Sequence, residues 1–443
     1  MKPAKEKYGL FTAITMIIGI CIGSGIFFKS DNILKATGGS ISLGVLVFVL
    51  AAVAIVFGGL TLSELASRTD EPGGIITYAD QFCGKKTACA FGWFQTFIYY
   101  PTITAVVSWV VGIYTCILFN IKGSLGLQIL IGMVFCTLCF LYNVLSPKLG
   151  AVMQNAATII KLIPLVLLAV GGIIWGDPIA GLKNASTSAV AGATWLAAIG
   201  PIAYSYDGWV VSTSISHEVK NAKRNLPLAL TIAPLLILVI YVTYFIGVTS
   251  YVGPEQVMAL EDAHVAVAAE NLLGSFFAKA ITVFVIISVM GTVNGLVLGF
   301  IRLPYSLALR KGMMPGSEKL SKLHEKWGTP VASAIFAYAI SFFWMAIHYV
   351  TMRFNLLPNS DVSEISIAIS YLLYLVLYSR VIKLWKSGEI KSKMRGLICP
   401  IMAMIGSLII LSGGLQNSLF ILYLALCAVV VWISSIYYKK HAA

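Results

Sequence analysis

The stretch IGPIAYSYDGW, residues 199–209, decides the reading of this chain. It sits within an apolar segment, 193–217, of about the length that crosses a bilayer. An uninterrupted helix has no use for a proline, two glycines and a carboxylate at that depth. Gly200-Pro201 and the run Ser205 to Gly208 therefore predict two interruptions at mid-membrane.

The rest of the chain supplies the context. Of 443 residues, 58% are hydrophobic and only 11% are charged, with a mean hydropathy of +0.89. A soluble domain of this size needs more charge to cover its surface. Twelve apolar spans are expected, at 9–35, 41–66, 88–118, 125–144, 151–175, 193–217, 227–251, 272–303, 331–350, 364–384, 396–412 and 417–437. The opening MKPAKEKYGLFTAITMIIGI is basic, then apolar, and lacks a small-residue cleavage site. It reads as a retained first span. With the N-terminus placed in the cytoplasm, 24 of the 31 Lys and Arg fall on the cytoplasmic side. Lys29, Lys35, Lys122, Lys183, Lys279 and Arg353 fall outside, and Lys161 lies within the membrane. That asymmetry predicts cytoplasmic termini in a cell membrane. It also accounts for the net charge of +13 without a nucleic-acid partner.

The first span carries a matching irregularity. GICIGSGIF, residues 19–27, places Gly19, Gly23 and Gly25 within seven residues, and each weakens a helix by roughly 1 kcal/mol relative to Ala. Breaks in the first and sixth spans, five apart, predict an all-α integral membrane protein with an inverted five-plus-five repeat. The expected halves are 9–175 and 193–384. Two further spans in 396–437 complete a single transmembrane domain over 1–443. Unwinding frees N–H groups at one half-helix end and C=O groups at the other, and neither can stay unpaired in lipid. A zwitterion satisfies both, its carboxylate taking N–H groups and its ammonium C=O groups. An α-amino acid fits that description.

Two charges lie at mid-membrane. Lys161, in AATIIKLIPLVLL, costs at least about 2.5–3.5 kcal/mol to insert. It reads as a fixed cation bridging unwound backbone, where other transporters of this architecture place Na⁺, and a buried lysine can also lose its proton. Asp207 reads as a cap on the sixth-span break, with a cationic-substrate site as the alternative. Glu64, near the cytoplasmic end of the second span, is expected to remain solvated.

An enzyme is not indicated. His217, His264, His324, His348 and His441 all fall near span ends, and H-E-x-x-H and G-x-S-x-G are absent. Most of the eight cysteines lie in apolar runs. The Cys136-x-x-Cys139 pair has no His or carboxylate within its hydrophobic segment, so neither a metal nor a disulfide framework is expected.

These residues carry a family resemblance. GSGIF (23–27), LTLSELASRTDEPGGIITYADQFCG (60–84), IKLIPL (160–165), YDGW (206–209), EVKNAKRNLPLA (218–229) and GTPVA (328–332) resemble the amino acid–polyamine–organocation superfamily. The closer likeness is to its L-type amino acid transporter-like branch, and within it to bacterial serine/threonine and alanine-serine-cysteine exchangers. The resemblance implies a LeuT-like fold and sodium-independent exchange of small neutral L-amino acids such as Ala, Ser, Thr, Cys or Gly, without cofactor. It implies that the Ser24 and Gly25 N–H groups, beside Gly23, bind the carboxylate. Carbonyls of Cys21, Tyr204 and Asp207, the last next to Gly208, would bind the ammonium. Tyr204 matches an aromatic gate, Lys161 the family lysine, Tyr244 a seventh-span tyrosine near it, and Asn294 an eighth-span neighbour. Tyr99 and Pro101 would line the path. Animal members bind a heavy chain through a cysteine between spans three and four. The loop FNIKGSLG has none, so no heavy-chain partner is expected.

Overall fold

The computed structural model describes residues 9–441 apart from Ser24, 70–73, 184–192 and 211–218. Every regular element among the described residues is helical. The main ones are α1 (Leu10–Cys21), α2 (Gly25–Phe28), α3 (Ser30–Ala36), α4 (Ile41–Ala66), α5 (Lys85–Leu118), α6 (Leu125–Leu145), α7 (Pro147–Ile160) and α8 (Leu162–Trp175). They continue with α9 (Ile199–Tyr206), α10 (Ala222–Val252), α11 (Ser275–Ala308), α12 (Val331–Arg353), α13 (Val362–Lys386), α14 (Met394–Gly414) and α15 (Phe420–His441). Among the described residues nine helices are long and apolar enough to cross a membrane: α4, α5, α6 and α10 through α15. Their packing follows lipid rather than water. Leu130, Val134, Leu138 and Leu141 of α6 stand exposed, while Thr61, Thr102, Ser108 and Ser288 are buried. The hydroxyls of Thr61 and Thr102 donate hydrogen bonds to carbonyls of their own helix, those of Phe57 and Ile98.

The other apolar segments are interrupted, and each interruption has a local cause. α1 stops at Cys21, where Ile22 turns extended (ψ 106°) ahead of the glycines. The chain re-enters a helix at Gly25 and bends through Lys29 into α3. α7 and α8 part at Lys161, a break the sequence reading did not foresee. Pro164 has no N–H for the carbonyl of Ile160, which removes one bond of the ladder there. α9 ends at Tyr206: Asp207 is extended (ψ 154°) and Gly208 has φ +98°, a conformation open to glycine at no steric cost.

The expected interruption at Gly200-Pro201 is not there. A 3₁₀ turn, Thr194–Ala198, runs into α9, so Pro201 falls in its first turn, where a missing N–H is tolerated. Gly200 instead makes room. A Cβ there would lie 2.8 Å from Glu364 Oε2 of α13.

The interrupted segments are gripped by the continuous ones. α10 packs along α1, α4 and α8, and α13 packs on α9. At the far end of α4, Glu64 is 7% exposed rather than solvated. It pairs with Arg68 (3.0 Å) and Arg395 (3.5 Å).

Candidate functional site

The breaks in α1–α2 and at the end of α9 come together. A Cβ on Gly25 would lie 2.6 Å from the Cα of Ser205, so the two segments touch backbone to backbone. Only glycine allows that approach. Gly23 is equally confined, its missing Cβ directed at Thr292 Oγ1 (2.6 Å) on α11. Ser24, between them, lies outside the described residues.

Ending α1 at Cys21 strips helical donors from its last carbonyls. Two side chains from other helices replace them. The ammonium of Lys161, 1% exposed, donates to the carbonyls of Gly19 and Ile22, the latter at 2.6 Å. The hydroxyl of Tyr241, on α10, lies 3.1 Å from the Cys21 carbonyl and 2.8 Å from that of Ser205, bridging the two breaks. The charge-assisted bonds of Lys161 are about twice as strong as neutral ones, which suits a cation removed from water. The Tyr204 carbonyl accepts from the Asp207 N–H at 3.1 Å. Carbonyls of Cys21 and Tyr204 each keep a second lone pair for a further donor.

Asp207 is not a free charge. Its Oδ2 accepts from the Tyr99 hydroxyl at 2.6 Å. Tyr99 closes a π-helical turn, Gln95–Tyr99, that re-aims the side chain inward. Pro101, two residues on, leaves the Phe97 carbonyl without its helical donor, and the Trp344 indole supplies one at 2.7 Å. Trp209, just past Gly208, is 1% exposed, and its indole lies 3.3 Å from the Tyr371 hydroxyl.

Two of the expected site residues make no hydrogen bond to Lys161 among the described residues. Asn294 accepts from Tyr142 (2.9 Å) and Asn143 (2.8 Å), and donates to the Gly150 carbonyl (2.9 Å) and Gln154 (3.1 Å). It knots α6, α7 and α11 together, and Lys161 is not among these partners. Tyr244 packs edge-on to Phe27 at 5.5 Å, and its buried hydroxyl has no partner among the described residues. Tyr241, one turn earlier, does the bridging, and the sequence reading passed over it. A tyrosine in an apolar helix reads as packing unless the break it serves is already known.

Lys29, expected on the outer side, is buried within the protein. It is 1% exposed and sits 2.5 Å from both Asp361 and Glu364, with its ammonium 4.9 Å from the centre of the Tyr204 ring. The aromatic expected to gate the site therefore lies under a buried ion cluster.

Comparison with known proteins gives the family. The family model described as amino acid permease matches residues 8–439. A serine/threonine exchanger of Bacillus subtilis is 30% identical over 416 residues, 93% of this chain and 91% of its own length. The human cystine/glutamate transporter is 29% identical over 379 residues, 84% of this chain and 74% of its own. The mouse large neutral amino acids transporter small subunit 2 is 27% identical over 349 residues, 75% and 63% respectively.

Proposed function

This chain belongs to the amino acid permease family, and on that premise we propose that it exchanges small neutral L-amino acids across the cytoplasmic membrane, independently of sodium, by alternating access. The observation that carries the reading is the close approach of the two interrupted spans at Gly25 and Ser205, beside their breaks, with a lysine ammonium fixed on the carbonyls freed by the first. In this reading the chain has twelve spans. α1–α3, α7–α8 and α9 with the segment after it are three interrupted spans beside the nine continuous ones. The halves 9–175 and 193–384 form the inverted repeat, 396–437 adds the last two spans, and both termini face the cytoplasm.

The substrate carboxylate meets N–H groups at Ser24 and Gly25, next to Gly23. The substrate ammonium meets carbonyls of Cys21, Tyr204 and Asp207, with Gly208 providing the turn. Lys161 supplies the positive charge that an unwound carbonyl cluster would otherwise draw from Na⁺. Asp207 caps the break through Tyr99 and is not the substrate's counter-ion. Asn294 holds α11 against α6 and α7, and Tyr244 packs behind α2. Cys116, 2% exposed inside α5, supports function without a disulfide-linked heavy chain.

The test is counterflow in vesicles. Purified protein reconstituted without Na⁺, with unlabelled serine inside, should take up labelled serine far faster than empty vesicles do. Equal uptake in the two preparations rules out exchange. Competition by arginine or putrescine in place of serine and alanine would move the assignment to cationic substrates.

A further inference from the structure

Three charges are buried together where α3 begins and α13 starts. The Lys29 ammonium contacts Asp361 Oδ2 and Glu364 Oε1, each at 2.5 Å. Lys29, Asp361 and Glu364 are 1%, 2% and 6% exposed. One cation thus faces two carboxyls, and with both ionised the cluster keeps an uncompensated negative charge away from water. Burial strongly disfavours that state.

The hydrogen bonds say which carboxyl carries the difference. Asp361 accepts on both oxygens, from Lys29 at Oδ2 and from the Ser363 N–H (2.8 Å) and hydroxyl at Oδ1. A backbone N–H can only donate, so Asp361 is held as the acceptor. Glu364 meets Lys29 at Oε1, while among the described residues the hydrogen-bond partner of its Oε2 is the hydroxyl of Ser360, at 2.7 Å. A hydroxyl donates or accepts equally well. A carboxylic O–H at Oε2 fits the same geometry, donating to Ser360. Glu364 and Ser360 also line a half-open cavity of about 260 Å³ with Asn32, Lys35, Gln416 and Asn417, which gives a proton access from water; Lys35 is itself paired with Asp31 and Glu261.

Other charged and titratable groups surround the cluster. His348 of α12 is buried against Trp109, in electrostatic range of Asp361 and Lys29, with neither ring nitrogen bonded among the described residues. Tyr423 of α15 donates to the Val362 carbonyl and faces Asp361. Asp262, in the connection after α10, faces Lys29, Lys35 and Asp31. None of them is bonded to Glu364.

We propose that Lys29, Asp361 and Glu364 form a proton-binding latch: Glu364 takes up one proton when Lys29 seats between the carboxyls and releases it when α3 moves off α13. The proton comes from cavity water onto Oε2 and returns there on opening, so no other reactant is needed. The latch rests on the alternating-access reading, because it joins the half-helix beyond the α1 break to α13 above Tyr204. Closure that consumes a proton is disfavoured as pH rises. Exchange limited by closure therefore slows by up to about tenfold per pH unit, once the group titrates.

The experiment reads the proton directly. Infrared difference spectra of the full-length protein in lipid are recorded while pH is stepped from about 6 to about 9. The expected result is a protonated-carboxyl C=O band that fades at alkaline pH and is missing from Glu364→Gln. It should also be missing from Asp361→Asn, where the one remaining carboxylate balances Lys29 and needs no proton. Serine counterflow should lose its pH dependence in Glu364→Gln. Wild-type protein without a titrating band, or the same band in both variants, overturns the latch. A band that behaves as stated in protein without exchange sustains the latch as a proton site and refutes only the transport reading.

Discussion

Lys161→Met is the most informative single change. Methionine keeps the length and apolar stem of the side chain and removes the ammonium. The Gly19 and Ile22 carbonyls then lose their donor. A buried acceptor left unsatisfied costs about 1–3 kcal/mol. At about 1.5 kcal/mol each, the two cost about 3 kcal/mol, on the order of a hundredfold in any equilibrium that needs the unwound shape. Loss of the ammonium also relieves its own desolvation, several kcal/mol for a buried ion. Global stability should therefore change much less than exchange. The assay is sodium-free serine counterflow beside a thermal melt of the same preparation. The expected outcome is exchange lowered on the order of a hundredfold, with a melting temperature within a few degrees of wild type. Added Na⁺ should restore part of the rate, because the freed carbonyls suit that ion. Wild-type counterflow from Lys161→Met without Na⁺ would refute the reasoning.

Four other outcomes follow from the same geometry. Tyr241→Phe removes one donor shared by two broken segments and should slow exchange roughly tenfold, for about 1–2 kcal/mol of lost satisfaction; an unchanged rate would remove Tyr241 from the site. Gly25→Ala pushes a methyl into the Ser205 backbone, an overpacking of about 1–3 kcal/mol, and should abolish substrate-induced thermal stabilisation. Asp207→Asn still offers an oxygen to Tyr99, so serine binding measured by calorimetry should hold within a few-fold, whereas a cation site would lose binding outright. Asp262, outside the spans, has its carboxyl pushed well above the ordinary range by desolvation and by the neighbouring carboxylates of Asp31 and Glu261. A raised carboxyl contributes stability at low pH that is lost as pH climbs through the folded value. Asp262→Asn should thus raise the melting temperature more at alkaline than at acid pH, and an equal gain at both would contradict that origin.

What the chain discloses on its own is the places where helices fail. Glycines at 19, 23 and 25, and the Asp207-Gly208 pair, mark breaks because their conformational tendencies are local. Gly200-Pro201 misleads for the same reason. Proline breaks a helix interior but not a first turn, and where the turn begins depends on the 3₁₀ segment before it. Lys161 is conspicuous as a charge in an apolar run, yet its partners lie about 140 residues earlier in the chain, at the end of α1, and no periodicity reveals them. Lys29 looks like an interfacial charge from its place near a span end. Its carboxylate partners lie more than 300 residues away, and Asp361 and Glu364 read locally as an N-cap and an acidic first turn. Tyr241 and Trp344 donate to carbonyls freed in other helices, a service visible only when both helices are in place.

The most direct test uses solid-state NMR on protein in lipid, with ¹⁵N-labelled glycine in the chain and serine labelled with ¹³C at its carboxylate. The expected result is a dipolar coupling of hydrogen-bond range between the bound carboxylate and a glycine amide, assigned to Gly25 by its spin connectivity to Ile26. Bound serine with no coupling to any glycine amide of the first break would contradict it.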